Sequence, residues 1–148
     1  MLVPSRTYKM RVPGENEQTA YFTIVGDDTP VAFFVNSKSM DNFQWITALM
    51  TAYSRQLSNG VPVVEIIDDM KNTFDPKGKY IIPDGSGREA NSIVHHLGLI
   101  LETHMDDLKN RKLLLEFHEE GMSKGLNHLD STTYAEEKLK NIRKSKDE

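Results

Sequence analysis

The stretch AYFTIVGDDTPVAFFV, residues 20–35, decides how this chain folds. Its two ends, Ala20 to Val25 and Val31 to Val35, are rich in aromatic and β-branched side chains, which suit a pleated, half-buried surface. Between them GDDTP gathers a glycine, two aspartates and a proline into a dense turn signal. The stretch therefore reads as an antiparallel hairpin. Upstream, TYKMRV at residues 7–12 alternates Tyr8, Met10 and Val12 with Lys9 and Arg11, the period of a strand with one wet face. It supplies a third strand, which Pro13 and Gly14 stop.

From Asp41 the period changes. Phe43, Ile46, Leu49, Met50, Tyr53 and Leu57 recur three or four residues apart, on one face of a helix that Gly60 closes. Pro62 suits the first turn of a second, short helix, PVVEIIDDMKN. The loop TFDPKGKYIIPDGSG follows, with room for a brief strand at Tyr80 to Ile82 before Pro83. Ser86 and Glu89 have the spacing of a capping box, so a long helix is expected to start there, with Ala90, Ile93, Val94, Leu97, Ile100, Leu101 and Leu108 as a wide apolar stripe. A stripe that wide predicts a homo-oligomer, most simply a dimer. Further helix is expected to about Gly121, and Thr133 with Glu136 offers a capping box for a last helix, whose charged end KLKNIRKSKDE is expected to fray. The expected fold class is α+β: a three-stranded antiparallel sheet packed against helices over residues 1–104, then a helical C-terminal extension over 105–148.

The 148 residues are enough for a proper core, and a composition with 38% apolar and 27% charged residues is that of an ordinary globular protein. No window approaches the roughly 20 apolar residues of a membrane helix, and MLVPSRTYKM lacks the pattern of a secretory signal, so a cytoplasmic location is expected. A net charge of −4 argues against broad nucleic-acid binding while allowing a local basic patch. The chain has no cysteine, which removes disulfides, thiolate metal sites and thiol nucleophiles. The five histidines include no pair at the i, i+4 spacing of a helical zinc clamp, and Asp68–Asp69 and Asp106–Asp107 read as solvated neighbours. No nucleophile elbow or phosphate loop occurs. No catalytic residue, metal ligand or cofactor site is therefore expected, and the chain is not expected to be an enzyme.

Two helix starts attract attention, because unpaired N–H groups there favour anions. One is Asn36-Ser37-Lys38, and the other is DGSGRE, where Ser86, Gly87 and Arg88 combine close backbone approach with a fork of donors. Lys77 and Lys79 lie between them in sequence. Two readings stand side by side: Ser37, Ser39 and Ser86 cap helices, or these loops meet in a small cationic pocket.

The runs TYKMRVPG, VAFFVNSKSMDNFQWITALMTAYSR, GVPVVEIIDDMKNTFDPKGKY and NSIVHHLGLILETH resemble the TSCPD domain, an accessory domain near the C-terminus of class II, adenosylcobalamin-dependent ribonucleotide reductases. The resemblance covers residues 7 to 104 and is densest at Asn36, Ser37, Lys38, Met40 and Trp45, and again at Phe74, Asp75, Pro76 and Gly78. Reductase chemistry needs a thiyl radical and a reducing cysteine pair, which a chain without cysteine cannot supply. The family's catalytic and cobalamin-binding residues have no counterpart here, and the cysteine-containing motif that names the domain is absent. The resemblance thus implies a non-catalytic copy that recognises a phosphorylated nucleoside or cyclic nucleotide. Asn36, Ser37 and Lys38 would hold one phosphate, Lys77, Lys79, Ser86, Gly87 and Arg88 another, with Trp45 or Tyr80 as a base-stacking face. In a viral protein, in the host cytoplasm, such a module would sequester a signalling nucleotide. The alternative is a protein-interaction or regulatory subunit of a ribonucleotide reductase or another enzyme of DNA precursor supply.

Overall fold

A computed structural model describes residues 2–147. The sheet is built from β1 (Ser5–Val12), β2 (Gln18–Val25) and β3 (Ala32–Asn36), antiparallel and in the order β1-β2-β3. The register sets Met10 opposite Ala20, Tyr8 opposite Phe22, Phe22 opposite Val35 and Ile24 opposite Phe33. Because side chains alternate between faces, these positions share one side of the sheet. Met10, Val12, Ala20, Phe22, Ile24, Phe33 and Val35 are all buried there, with the Phe22 and Phe33 ring centroids 5.8 Å apart. At the hairpin Gly26 takes φ +138°, and its amide donates to the Pro4 carbonyl at 2.8 Å.

Helix α1 (Phe43–Ser58) packs against β3 and buries Ile46, Met50 and Tyr53. It starts two residues after Asp41, because Asn42 adopts a left-handed φ of 60° that a helix interior does not accommodate. Gly60, at φ +84°, follows its end as expected. Pro62 is the N-cap of α2 (Val63–Lys71) and lies outside its first turn. Two short strands come next, β4 (Tyr80–Ile81) and β5 (Glu89–Ala90), paired with each other.

This pairing corrects the expected start of the long helix. Ser86 and Glu89 do not form a capping box: Glu89 is in β5, and Ser86 sits in a turn where Asp84 Oδ1 accepts from its amide and its hydroxyl. Helix α3 runs from Ile93 to Ser123, and Ser92 caps it by accepting from the His95 amide at 2.9 Å while donating to the Thr73 carbonyl at 2.6 Å. The second expected box also fails. Helix α4 (His128–Asp147) begins five residues before Thr133, with Asn127 Oδ1 accepting from the Asp130 amide, and Thr133 donates to the Leu129 carbonyl within the helix. The expected fraying end is helical through Asp147, and Glu148 lies outside the described residues.

The chain divides into two compact units, residues 1–102 and 103–148. In the first, Leu97 and Leu101 of the α3 stripe are fully buried while Ile93, Val94 and Ile100 are half-buried, and Gly98 lets the helix approach Met70 of α2 so closely that an added Cβ would stand 2.8 Å from the Met70 Cβ. Ile82, Ala90 and Leu99 form a small cluster with Tyr80 against it. The second unit holds the rest of α3 and α4. There Gly121 lies against Ser131, Ala135 and Leu139 are buried, and Glu120 accepts from Tyr134 and Lys138. These bonds, the Lys138 one first, bring the Glu120 carboxyl down to about 2. No helix among the described residues is long and apolar enough to cross a membrane.

Candidate functional site

The junction between β3 and α1 is knotted to the middle strand by serines. Ser37 Oγ donates to the Thr19 carbonyl at 2.6 Å and accepts from the amides of Ser39 and Met40 at 3.2 and 3.0 Å. Ser39 Oγ accepts from the Thr19 amide at 3.0 Å. Both hydroxyls serve the turn, and neither caps α1, whose N-cap Asn42 makes no side-chain capping bond. With the turn fixed in this way, Asn36 and Lys38 are left exposed.

Two depressions flank the junction. One, of about 310 Å³, is lined by Thr19, Tyr21, Asn36, Ser37, Lys38 and Ser39. The other, of about 300 Å³, is walled by Lys77, Gly78 and Lys79 together with Gln18, Asp41, Asp75 and Tyr80. In it Asp41 accepts from the Gln18 amide group at 3.1 Å, Asp75 accepts from the Lys77 backbone amide at 2.9 Å, and Lys79 pairs with Glu89 at 2.8 Å. The first depression is thus cationic and aromatic, whereas the second already contains its own carboxylates.

Ser86, Gly87 and Arg88 line neither depression. Arg88 turns back to Asp84 at 3.3 Å, and the Ser86 hydroxyl donates to the same carboxylate at 2.5 Å. The bonds from Ser86 first, and Arg88 after them, hold the Asp84 carboxyl down at about 2. Its donors are therefore engaged within one tight turn, where Gly85 and Gly87 take φ +81° and +76°.

Neither aromatic residue expected as a stacking face lines the cationic depression. Tyr80 is half-buried, with its hydroxyl 2.8 Å from His96 Nδ1. Trp45 is 67% exposed on α1. The ring that does line the depression is Tyr21, 45% exposed, and Phe34, 59% exposed, lies on the same side of the sheet. Sequence reasoning missed both, although the signal was present: the alternation that buries Phe22 and Phe33 sends Tyr21 and Phe34 to the other face.

Among the described residues no group of three or more His, Asp or Glu side chains is arranged to hold a metal ion. In the second unit His118 Nε2 and His128 Nδ1 lie 3.1 Å apart. His96 is buried, and burial brings its imidazole down to about 4, so it is neutral near pH 7.

No curated protein and no solved structure matches the chain. The family model of the TSCPD domain matches residues 4–105, which takes in the sheet, α1, α2, the β4–β5 pair and both depressions. The chain belongs to the TSCPD domain family.

Proposed function

We propose that this TSCPD domain recognises a phosphorylated nucleoside and performs no chemistry on it. The observation that carries the reading is the depression in which the exposed Tyr21 ring, the Asn36 amide and the Lys38 ammonium adjoin. An aromatic face suits a base, a side-chain amide suits a base edge or a ribose hydroxyl, and an exposed lysine suits a phosphate. Lys77 and Lys79 extend the cationic surface on the other side of the junction, where Asp41 and Asp75 disfavour a second phosphate. Ser86, Gly87 and Arg88 are better assigned to their own turn. Binding without turnover also suits capture of a signalling nucleotide, the role a viral copy would serve.

The test is thermal shift of the purified chain against nucleoside mono-, di- and triphosphates and cyclic dinucleotides, with inorganic phosphate as control. A ligand at a hundredfold excess over its dissociation constant stabilises the folded state by about 2.7 kcal/mol. The expected result is stabilisation by nucleotide beyond that by phosphate, lost in Lys38→Ala and Tyr21→Ala, with the nucleotide recovered unchanged. No shift with any nucleotide at millimolar concentration would overturn the reading.

A second reading is docking on a ribonucleotide reductase or another enzyme of DNA precursor supply. Trp45 and Phe74, each 67% exposed, favour it, since large rings held in water are characteristic anchors for a partner protein. Trp45→Ala separates the two, because it would leave nucleotide binding intact and abolish docking.

A further inference from the structure

The sheet offers more than one ring. Side chains on the face turned away from the core fall into rows fixed by the register: Lys9, Tyr21 and Asn36 lie abreast, and Thr7, Thr23 and Phe34 lie abreast in the next row. Tyr21 and Phe34 are therefore diagonal neighbours on adjacent strands, positions whose Cα atoms stand about 7 Å apart. The row beside them is polar, with Thr7 and Thr23 joined hydroxyl to hydroxyl at 2.8 Å.

Charge is partitioned in the same place. The chain carries 22 acidic residues, yet none occurs in β1, β2 or β3, whereas β1 alone contributes Arg6, Lys9 and Arg11. Arg6 lies over the Tyr8 ring at 4.9 Å, and Arg11 is paired with Glu17, from the turn that follows β1. Lys9, which also interacts with the Glu17 carboxylate, and Lys38 are exposed cations bordering the Tyr21 ring's row and its depression. An acidic protein has kept the strands of one sheet entirely free of acid.

Resting on the nucleotide reading above, we propose that this face binds a short single-stranded oligonucleotide of two or three residues. One base lies on Tyr21 and the next on Phe34, with phosphates near Lys38 and Lys9. Stacked bases follow one another at about 3.4 Å, whereas diagonal positions on adjacent strands are about 7 Å apart at their Cα atoms, so the two side chains suit a strand whose bases have separated, each lying on its own ring. A duplex hides its base faces and fits less well. Stacking on aromatic side chains tolerates any base, so the predicted preference is for strandedness and length over sequence.

Fluorescence anisotropy of the full chain with labelled trinucleotides, in RNA and DNA arms, tests this against unlabelled mononucleotide, hairpin duplex and polyglutamate as competitors. The trinucleotide is expected to bind about tenfold more tightly than the mononucleotide, the value of one added stacked base. Phe34→Ala should remove that advantage and leave mononucleotide affinity unchanged, while Tyr21→Ala should weaken both. Unaltered melting temperatures would confirm that these exposed substitutions leave the fold intact. Equal affinity for mono- and trinucleotide, an unaffected Phe34→Ala variant, or equal competition by duplex or polyglutamate would overturn the oligonucleotide proposal and leave the nucleotide reading standing. Binding of neither ligand would overturn both.

Discussion

The Tyr80 hydroxyl and His96 Nδ1, 2.8 Å apart, join β4 to the start of α3 inside the first unit. Burial pushes the two groups in opposite directions, raising the phenol and lowering the imidazole to about 4, so both are neutral near pH 7. The hydrogen bond is thus between two uncharged groups removed from water. Tyr80→Phe should cost about 1–3 kcal/mol, because Nδ1 would be left buried without a partner. Urea denaturation at pH 7 measures this.

The same histidine predicts a pH response. Its value is depressed on folding, so between about pH 6.5 and pH 4 the unfolded chain binds a proton that the folded chain refuses. The contribution is complete above pH 6.5 and declines as the pH falls toward 4, by about 3 kcal/mol at most. Asp84 titrates lower, near 2, and does not share this window. Stability measured at pH 7 and pH 4.5 should fall more steeply in the parent than in His96→Gln. Equal slopes would refute the assignment.

Gly98→Ala is expected to destabilise despite the better helix propensity of alanine. The new Cβ would meet the Met70 Cβ at 2.8 Å and the Lys71 backbone nitrogen at 3.4 Å, forcing α3 away from α2. Overpacking of this kind costs roughly 1–3 kcal/mol against about 1 gained from propensity. A raised melting temperature would show that the helices separate freely.

Gly26→Ala should be more damaging. A Cβ there would stand 2.2 Å from the Thr29 carbonyl oxygen, at a φ of +138° that alanine rarely adopts. Strain and backbone collision together suggest a loss of about 3 kcal/mol or more, seen as a lower denaturation midpoint.

Adjacent residues at the β3–α1 junction should behave oppositely. Ser37→Ala removes the hydrogen bond that ties the turn to the Thr19 carbonyl and the two that its hydroxyl accepts from the Ser39 and Met40 amides, and is expected to cost about 1–2 kcal/mol. Lys38→Ala should change stability by less than about 0.5 kcal/mol, as an exposed position does, while abolishing nucleotide-dependent stabilisation. Thermal melting of both variants with and without nucleotide separates the two roles.

The strands and the first two helices were legible because their signals are local: alternation in residues 7–12 and 20–35, a 3.6-residue stripe from Phe43, and Gly60 beyond the helix end. The start of α3 was not. Ser86 and Glu89 have acceptable cap spacing, but Asp84 captures Ser86 and pairing with β4 captures Glu89, and both partners are set by the path of the loop. Ser92 gave a weaker local cue, since its hydroxyl is fixed by Thr73, nineteen residues earlier in the chain. The candidate site was half legible for a related reason. Asn36, Ser37 and Lys38 mark it in one segment, whereas the ring beside them comes from Tyr21 on another strand. The exposed loop residues Lys77 and Arg88 looked like its second half from composition alone.

A hydroxyl on α1 also decides how this sheet meets its surroundings. Ser54 Oγ accepts from the Phe33 amide at 2.9 Å and donates to the Phe33 carbonyl at 3.3 Å, so the outward backbone groups of β3 are satisfied at that residue by a helix. The far border, β1, bears Arg6, Lys9 and Arg11, the last paired with Glu17, and charged side chains on an edge strand disfavour the addition of a second copy. One margin is plugged at Phe33 and the other carries charge, an arrangement that disfavours edge-to-edge growth of the sheet while its aromatic face stays open.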